Sequence, residues 1–386
     1  MKLADRMDCL GTETAFAVSA EASNLEAKGV KIYPFHLGDI NLETPKTIRS
    51  AALEAIESGK TGYCPAPGII ELRKALAEDV SNSRNVKYTS NNVSVQSGGK
   101  PVISKFIMSK MNPGDRVLYP NPGYPIYESQ IEFYGGIACP YGYINTTDGL
   151  RLDFTAIENG IEKGAKHIFY NNYNNPTGAS SSISEMKKLA ALCISNDLFL
   201  FSDEAYFDTL FEGESHSIVS MPNMRERSLI LYTFSKKFAM TGWRLGWSVW
   251  PEKLVEHVIK FCVNNHSCVN AAIQYGAISA LDGPEDSIHS MVKKFILRKN
   301  LMVDGLKKIK GIVCNESKAG FFIFPNIKGI GMNGDEFSTR CLNEAGVALI
   351  PGTAFGKFAI DNVRLNFTTS EENISNALEK INNMLG

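Results

Sequence analysis

Between residues 45 and 285, short apolar runs alternate with stretches of helical period, and this limits the fold more than any other feature of the chain. Arg116-Val-Leu-Tyr119, His167-Ile-Phe-Tyr170, Leu198-Phe-Leu-Phe201, Leu229-Ile-Leu-Tyr232 and Leu245-Gly-Trp-Ser-Val-Trp250 are short and almost continuously apolar. Such runs read as strands covered on both faces. Asn92-Val-Ser-Val-Gln-Ser97 alternates like a strand, whereas apolar residues at 69, 72, 76 and 80 follow a helical spacing. Ile183 to Asn196 and Glu252 to Asn264 also read as helices. The alternation predicts an α/β domain over 45–285, with a mainly parallel sheet between helices. The rest predicts a smaller α+β unit: a long helix from Asp286 to Lys310, strands at Phe321-Phe-Ile-Phe324, Val347-Ala-Leu-Ile350 and Asn362-Val-Arg-Leu-Asn-Phe367, a helix near Gly334 to Glu344, and a final helix. The smaller unit is expected to comprise 1–44 and 286–386, with the first 40 residues packed on it.

Composition removes several classes of function. The net charge is −1 across 386 residues, which gives no electrostatic basis for binding nucleic acid or an anionic membrane. No stretch approaches membrane-span length, and Met1-Lys-Leu-Ala-Asp-Arg-Met-Asp8 has no apolar core of a signal peptide. The eight cysteines form no Cys-x-x-Cys and no zinc-spaced cluster, so no metal is expected. Several lie in apolar runs, as buried reduced thiols of a cytoplasmic protein would.

Open α/β sheets bind ligands at the carboxyl ends of their strands, and five of these runs end in polar or glycine-rich clusters. Ser97-Gly-Gly-Lys-Pro101 places Gly99 and Lys100 at a helix start, where backbone amides can hold a phosphate or simply open a helix. In Asn121-Pro-Gly-Tyr124, Tyr124 can stack on a flat heteroaromatic ring or pack on the surface. Asn171-Asn-Tyr-Asn-Asn-Pro-Thr-Gly178 offers the Asn175 amide and an Asn-Pro bond open to the cis form. In Ser202-Asp-Glu-Ala-Tyr206, Asp203 follows a buried run and needs a partner. A helix end would serve, as would a protonated pyridine nitrogen, since opposite charges ~4 Å apart attract by roughly 4 kcal/mol at an effective dielectric of about 20. Thr233-Phe-Ser-Lys-Lys-Phe-Ala-Met-Thr-Gly-Trp-Arg-Leu-Gly246 delivers Thr233, Ser235, Lys236 and Arg244 from the fifth run. A lysine able to condense with an aldehyde and an arginine able to clamp a phosphate together suit pyridoxal 5'-phosphate (PLP).

In Asn-Pro-x-Tyr at Tyr124, Asn-Asn-Pro-Thr-Gly around Asn175, Ser-Asp-Glu-Ala-Tyr around Asp203 and the run from Ser235 to Gly246, the chain closely resembles the class I/II aminotransferases, PLP enzymes of fold type I, and among them the aspartate aminotransferase subgroup. The resemblance covers essentially the whole chain, from Leu37-Gly-Asp39 through Tyr63 to Asn362-Val-Arg364. It implies that Lys236 carries the cofactor and moves the substrate proton, and that Asp203 pairs with the ring nitrogen. Asn175 and Tyr206 would hold the ring oxygen, and Tyr124 would stack on the ring. Gly99, Lys100, Thr233, Ser235 and Arg244 would bind the phosphate. Tyr63 would reach the phosphate of a neighbouring subunit, making a homodimer. Arg364 would clamp the substrate α-carboxylate, with Gly38 lending a backbone contact. Two positions depart from the family: Tyr173 stands where Pro is frequent, and Thr233 where Ser is frequent. Tyr173 either alters specificity or repacks its loop, with repacking preferred, and Thr233 keeps the hydroxyl.

The implied reaction moves an amino group from an L-amino acid to a 2-oxo acid by ping-pong kinetics. An aspartate or glutamate donor is expected, with 2-oxoglutarate as one acceptor, because Lys100 occupies the place of a lysine proposed to meet a distal carboxylate. Aromatic or neutral donors, a β-lyase on the same fold, and a non-catalytic PLP-binding regulator are the alternatives.

Overall fold

The computed structural model describes residues 2–147, 149–283 and 285–386. Seven of its strands form one sheet: β1 (Val93–Gln96), β2 (Arg116–Pro120), β3 (Ile137–Tyr141), β4 (Ala165–Asn171), β5 (Phe199–Asp203), β6 (Ser228–Thr233) and β7 (Gly246–Val249), in the order β1-β7-β6-β5-β4-β2-β3. β7 runs antiparallel to both its neighbours, and the other adjacent pairs are parallel. The expected mainly parallel sheet is thus present. Successive residues serve opposite faces: Leu118, Ile168, Leu200 and Ile230 join one core, and Val117, Phe169, Phe201 and Leu229 the other. Helices cover both faces, so the sequence shows continuous apolar runs there rather than alternation.

β1 differs from its expectation. Its alternation suggests one wet face, yet all four residues are buried. The polar side chains of Ser94 and Gln96 turn inward and bond to other buried groups.

A second core gathers Phe295, Met302, Phe321, Ile323, Phe337, Leu365, Phe367 and Ile374. It lies among the helices Glu285–Lys308, Gly334–Ala345 and Glu371–Leu385 and a three-stranded antiparallel sheet. The sheet strands are β8 (Phe322–Ile323), β9 (Ile350–Pro351) and β10 (Val363–Asn366), ordered β8-β10-β9. The run 347–350, expected as one strand, is split. Val347–Ala348 pairs with Tyr33–Pro34, and Ile350–Pro351 pairs with β10. Val347, Ala348, Leu349 and Ile350 are all buried, so hydropathy carries no mark of the change of partner.

The N-terminal 40 residues also divide. Residues 33–35 bond to the second unit through Gly346 and Ala348. The first dozen instead reach the large unit: the Gly11 amide donates to Ser129 Oγ at 2.9 Å, and the Arg6 guanidinium sits 5.3 Å from the Phe133 ring centre. This corrects the expectation that the whole segment packs on the smaller unit. These residues follow no helical or strand period from which to read a docking face. No helix among the described residues is long and apolar enough to cross a membrane, and no group of metal-ligating side chains is found among them.

Candidate active site

The carboxyl ends of the parallel strands open into a cavity of about 550 Å³. Gly38, Gly99, Lys100, Tyr124, Asn175, Asp203, Tyr206, Thr233, Ser235, Lys236, Arg244 and Arg364 all line it. Tyr63 and Tyr173, also singled out in the sequence, do not line it. Tyr63 is 94% exposed.

Local structure explains each placement. Thr233 ends β6 and caps the short helix Phe234–Lys237, its Oγ1 accepting from the Ser235 amide at 3.2 Å. That cap aims Lys236 into the cavity, where Nζ donates to the Gly38 carbonyl at 2.7 Å. Burial, helped by the Arg364 guanidinium and opposed by Asp39, brings the Lys236 amine down to about 8. An amine so lowered is neutral in a useful fraction of molecules near neutral pH.

Asp203 closes β5 at the cavity floor. Tyr127 donates to its Oδ2 at 2.6 Å and the Ala205 amide to its Oδ1 at 3.1 Å. Burial nevertheless raises the carboxyl to about 6 against these two donors. Among the described residues no cation offsets its charge, so the floor presents a buried acid suited to a cationic ligand atom. The Asn175–Pro176 bond is cis, as the sequence left open. Asn175 is held through its amide to Asn171 Oδ1 at 2.9 Å, while Asn171 Nδ2 donates to the Asp203 carbonyl at 3.1 Å.

Arg364, on β10, crosses from the smaller unit. Its Nη1 donates to Asn175 Oδ1 at 3.1 Å and its Nη2 to the His36 carbonyl at 2.7 Å, and Nε has no partner among the described residues. The guanidinium lies between the Phe322 and Phe355 rings, 4.3 and 4.7 Å from their centres. Burial pulls it down to about 10. A stacked, incompletely bonded guanidinium is ready for a planar carboxylate.

On the opposite wall, the helix Lys100–Lys110 starts behind Gly99 with Pro101 in its first turn. Gly98 has φ of +92°, and a Cβ there would meet the Arg244 guanidinium. Only glycine therefore lets Arg244 lie along this turn. Thr233 Oγ1 and Ser235 Oγ are 2.8 Å apart beside it. These hydroxyls, the helix start and Arg244 form an anion cradle.

Several lining residues carried no local signal. Glu13 accepts from Tyr124 OH at 2.8 Å and pairs with Lys100 Nζ. Tyr127, Asn171, Asp39 and Phe322 support Asp203, Asn175, Lys236 and Arg364 in the ways described. Lys100, left open between a distal carboxylate and a helix start facing solvent, has its ammonium held by Glu13. Tyr173 belongs to the second core, its hydroxyl 3.1 Å from Ser215 Oγ. It packs the loop and does not line the cavity.

The model of the class I and II aminotransferases matches residues 31–381. The chain belongs to that family. The probable aspartate/prephenate aminotransferase of Aquifex aeolicus (strain VF5) is 33% identical over 391 residues, covering 99% of this chain and 98% of that protein. The aspartate aminotransferase of Bacillus subtilis (strain 168) is 30% identical over 390 residues, covering 99% and 98%. The structure of the aspartate aminotransferase from Thermus thermophilus with maleate superposes with a TM-score of 0.93 at 29% identity, covering 100% of both chains. The protein is thus a PLP-dependent transaminase of fold type I. The residues present fit the cofactor: an amine lowered by burial, a buried acid without a cation, and an anion cradle that a single Cβ at Gly98 would obstruct.

Proposed function

We propose that the protein is a homodimeric, cytoplasmic transaminase that takes its amino group from aspartate or glutamate and passes it to a 2-oxo acid such as 2-oxoglutarate. The observation that carries this reading is the convergence of Lys236, Asp203, Asn175 and Arg364 from both units on one cavity. The names of the Aquifex, Bacillus and Thermus relatives support the dicarboxylic donor.

When bound, PLP supplies the electron sink that allows the substrate Cα to release its proton. Asp203 would keep the ring nitrogen protonated. Asn175 and Tyr206 would hold the ring oxygen, and Tyr124 would stack on the ring. Thr233, Ser235, Arg244, Lys100 and the Gly99 amide would retain the phosphate. Arg364 fixes the substrate carboxylate, so that Cα faces Lys236 Nζ, which takes the proton and returns it. Gly38 offers its carbonyl to that Nζ and its backbone to the substrate. Tyr63 completes the phosphate site of the partner subunit.

The test is visible absorption during additions of L-aspartate, L-glutamate and L-phenylalanine to the holoenzyme. Loss of the cofactor's visible band with the acidic donors, and its return with 2-oxoglutarate, is the expected result. A band unmoved by every donor would refute transamination. Arg364→Lys is expected to lower kcat/KM for dicarboxylic donors by ~10²-fold, mostly through KM, because an ammonium cannot grip both carboxylate oxygens. The rate at which apoprotein takes up PLP is expected to rise with pH through about 8, the Lys236 value, since only the neutral amine attacks the aldehyde. A midpoint near the ordinary lysine value would contradict that. Tyr63→Phe is expected to weaken PLP retention without dissociating the dimer, read by equilibrium dialysis beside sedimentation.

A further inference from the structure

Behind the anion cradle lies a second set of ionisable groups that the transamination reaction does not use. Lys105, on the helix Lys100–Lys110, is fully buried. Its Nζ is 3.3 Å from Cys262 Sγ and 3.2 Å from His266 Nε2, and it also donates to Gln96 Oε1. Cys262 and His266 both lie on the helix Glu252–His266. Ser94 Oγ and Gln96 Nε2, from β1, each lie 3.5 Å from the same sulfur.

A buried ammonium needs a counter-charge. Burial pulls the Lys105 amine below the usual lysine range; among the described residues it has no carboxylate partner, and the Cys262 thiolate is the group that opposes the shift. Burial alone would raise the Cys262 thiol. His266, Lys105, Ser94 and Gln96 outweigh burial and bring it down to about 7. Thiolate character governs attack on peroxide. Cys262 itself is fully buried and His266 only partly so. The sulfur is therefore closed to bulky thiols, and oxidation at it requires a small oxidant and local opening of the fold.

We infer that Cys262 and Lys105 form an oxidative modification site, at which a hydroperoxide converts the thiolate–ammonium pair into a covalent sulfur–nitrogen bond. The thiolate attacks the peroxide, breaking its O–O bond to give a sulfenic acid and hydroxide, and hydroxide takes a proton from Lys105. The neutral Nζ then displaces water from sulfur. Overall, thiolate, ammonium and hydrogen peroxide give Sγ–NζH and two waters, with sulfur oxidised and peroxide reduced. Lys105 is the amine already in contact with sulfur, and burial keeps a second thiol from capturing the sulfenic acid first. The bond ties the helix that opens at the anion cradle to the helix Glu252–His266.

The experiment treats the holoenzyme with hydrogen peroxide, denatures it, alkylates without reductant and maps the peptides. The expected product joins the Lys105 and Cys262 peptides at a mass two hydrogens below their sum, with Cys262 protected from alkylation. Dithiothreitol added before alkylation restores both peptides. Lys105→Met abolishes the joined peptide and leaves oxidised Cys262; because the wild-type mapping stands alone, misfolding of that variant would not obscure the result. Cys262 that stays fully alkylatable, a joined product heavier by an oxygen atom, or a disulfide to another cysteine would each overturn the inference.

Discussion

Lys236→Ala will lose transamination by at least ~10⁴-fold in kcat, the upper range for a positioned acid–base group, and will lose covalent attachment of PLP as well. The adjacent Lys237 cannot take over. Its Nζ is bound to Asp208 Oδ1 at 2.9 Å, and Asp208 also accepts from Tyr232 OH. The cap at Thr233 sends consecutive side chains of this short helix to different surroundings, one to the cavity and one to the buried Arg84–Glu204 neighbourhood. Single-turnover rates with aspartate, measured beside peptide mapping of the borohydride-reduced protein, separate the two losses. Activity within ~10²-fold of the parent would remove Lys236 from the proton transfer. Label on Lys237 would show that the neighbour can rotate into the cavity.

That the site was legible in the sequence follows from where its residues sit. Lys236, Asp203, Asn175, Tyr124 and Gly99 each stand at the end of a buried strand or within a few residues beyond it. A parallel sheet brings the carboxyl ends of such runs together whatever the loops contain. The local chemistry of Thr233 as a cap and of Gly98–Gly99 as a tight approach is likewise written in a few adjacent residues. Other features depend on contacts that no short window encodes. Glu13 reaches Tyr124 across 111 positions of chain, and its own neighbourhood mixes small, polar and apolar residues without a clear period. Tyr127 looks like any aromatic on the helix Ile126–Phe133 until β5 places Asp203 against it. The change of partner between Ala348 and Ile350 leaves no trace because both sides of it are equally buried. The polar residues of β1 mislead in the opposite sense. Ser94 and Gln96 mimic a wet face, although they serve Lys105 and Cys262 in the interior.

Asp203→Asn will separate stability from activity in opposite directions. Burial raises this carboxyl from 3.8 to about 6 in the folded protein. Between those values the folded apoprotein holds a proton that the unfolded chain has released, so stability falls as pH rises through this window. Above about 6 the full penalty of a buried uncompensated carboxylate remains. At about 1.4 kcal/mol per pKa unit it amounts to ~3 kcal/mol. Asparagine keeps an acceptor for Tyr127 and carries no charge. The apo variant is therefore expected to melt several degrees above the parent at pH 7.5, with the difference vanishing near pH 4. In the holoenzyme the order reverses. The ring nitrogen loses its counter-charge, the ring withdraws electrons less strongly, and kcat is expected to fall ~10²–10³-fold, the scale of losing one preorganised electrostatic partner. Melting curves of apo and holo forms across pH, set beside kcat, test both halves. An apo variant no more stable than the parent at pH 7.5 would mean that Asp203 is already neutral or paired before the cofactor arrives. An unchanged kcat would remove it from the chemistry. The opposite signs follow from one cause: a carboxylate placed in the interior destabilises the protein when the partner proposed for it, the ring nitrogen of the cofactor, is not there.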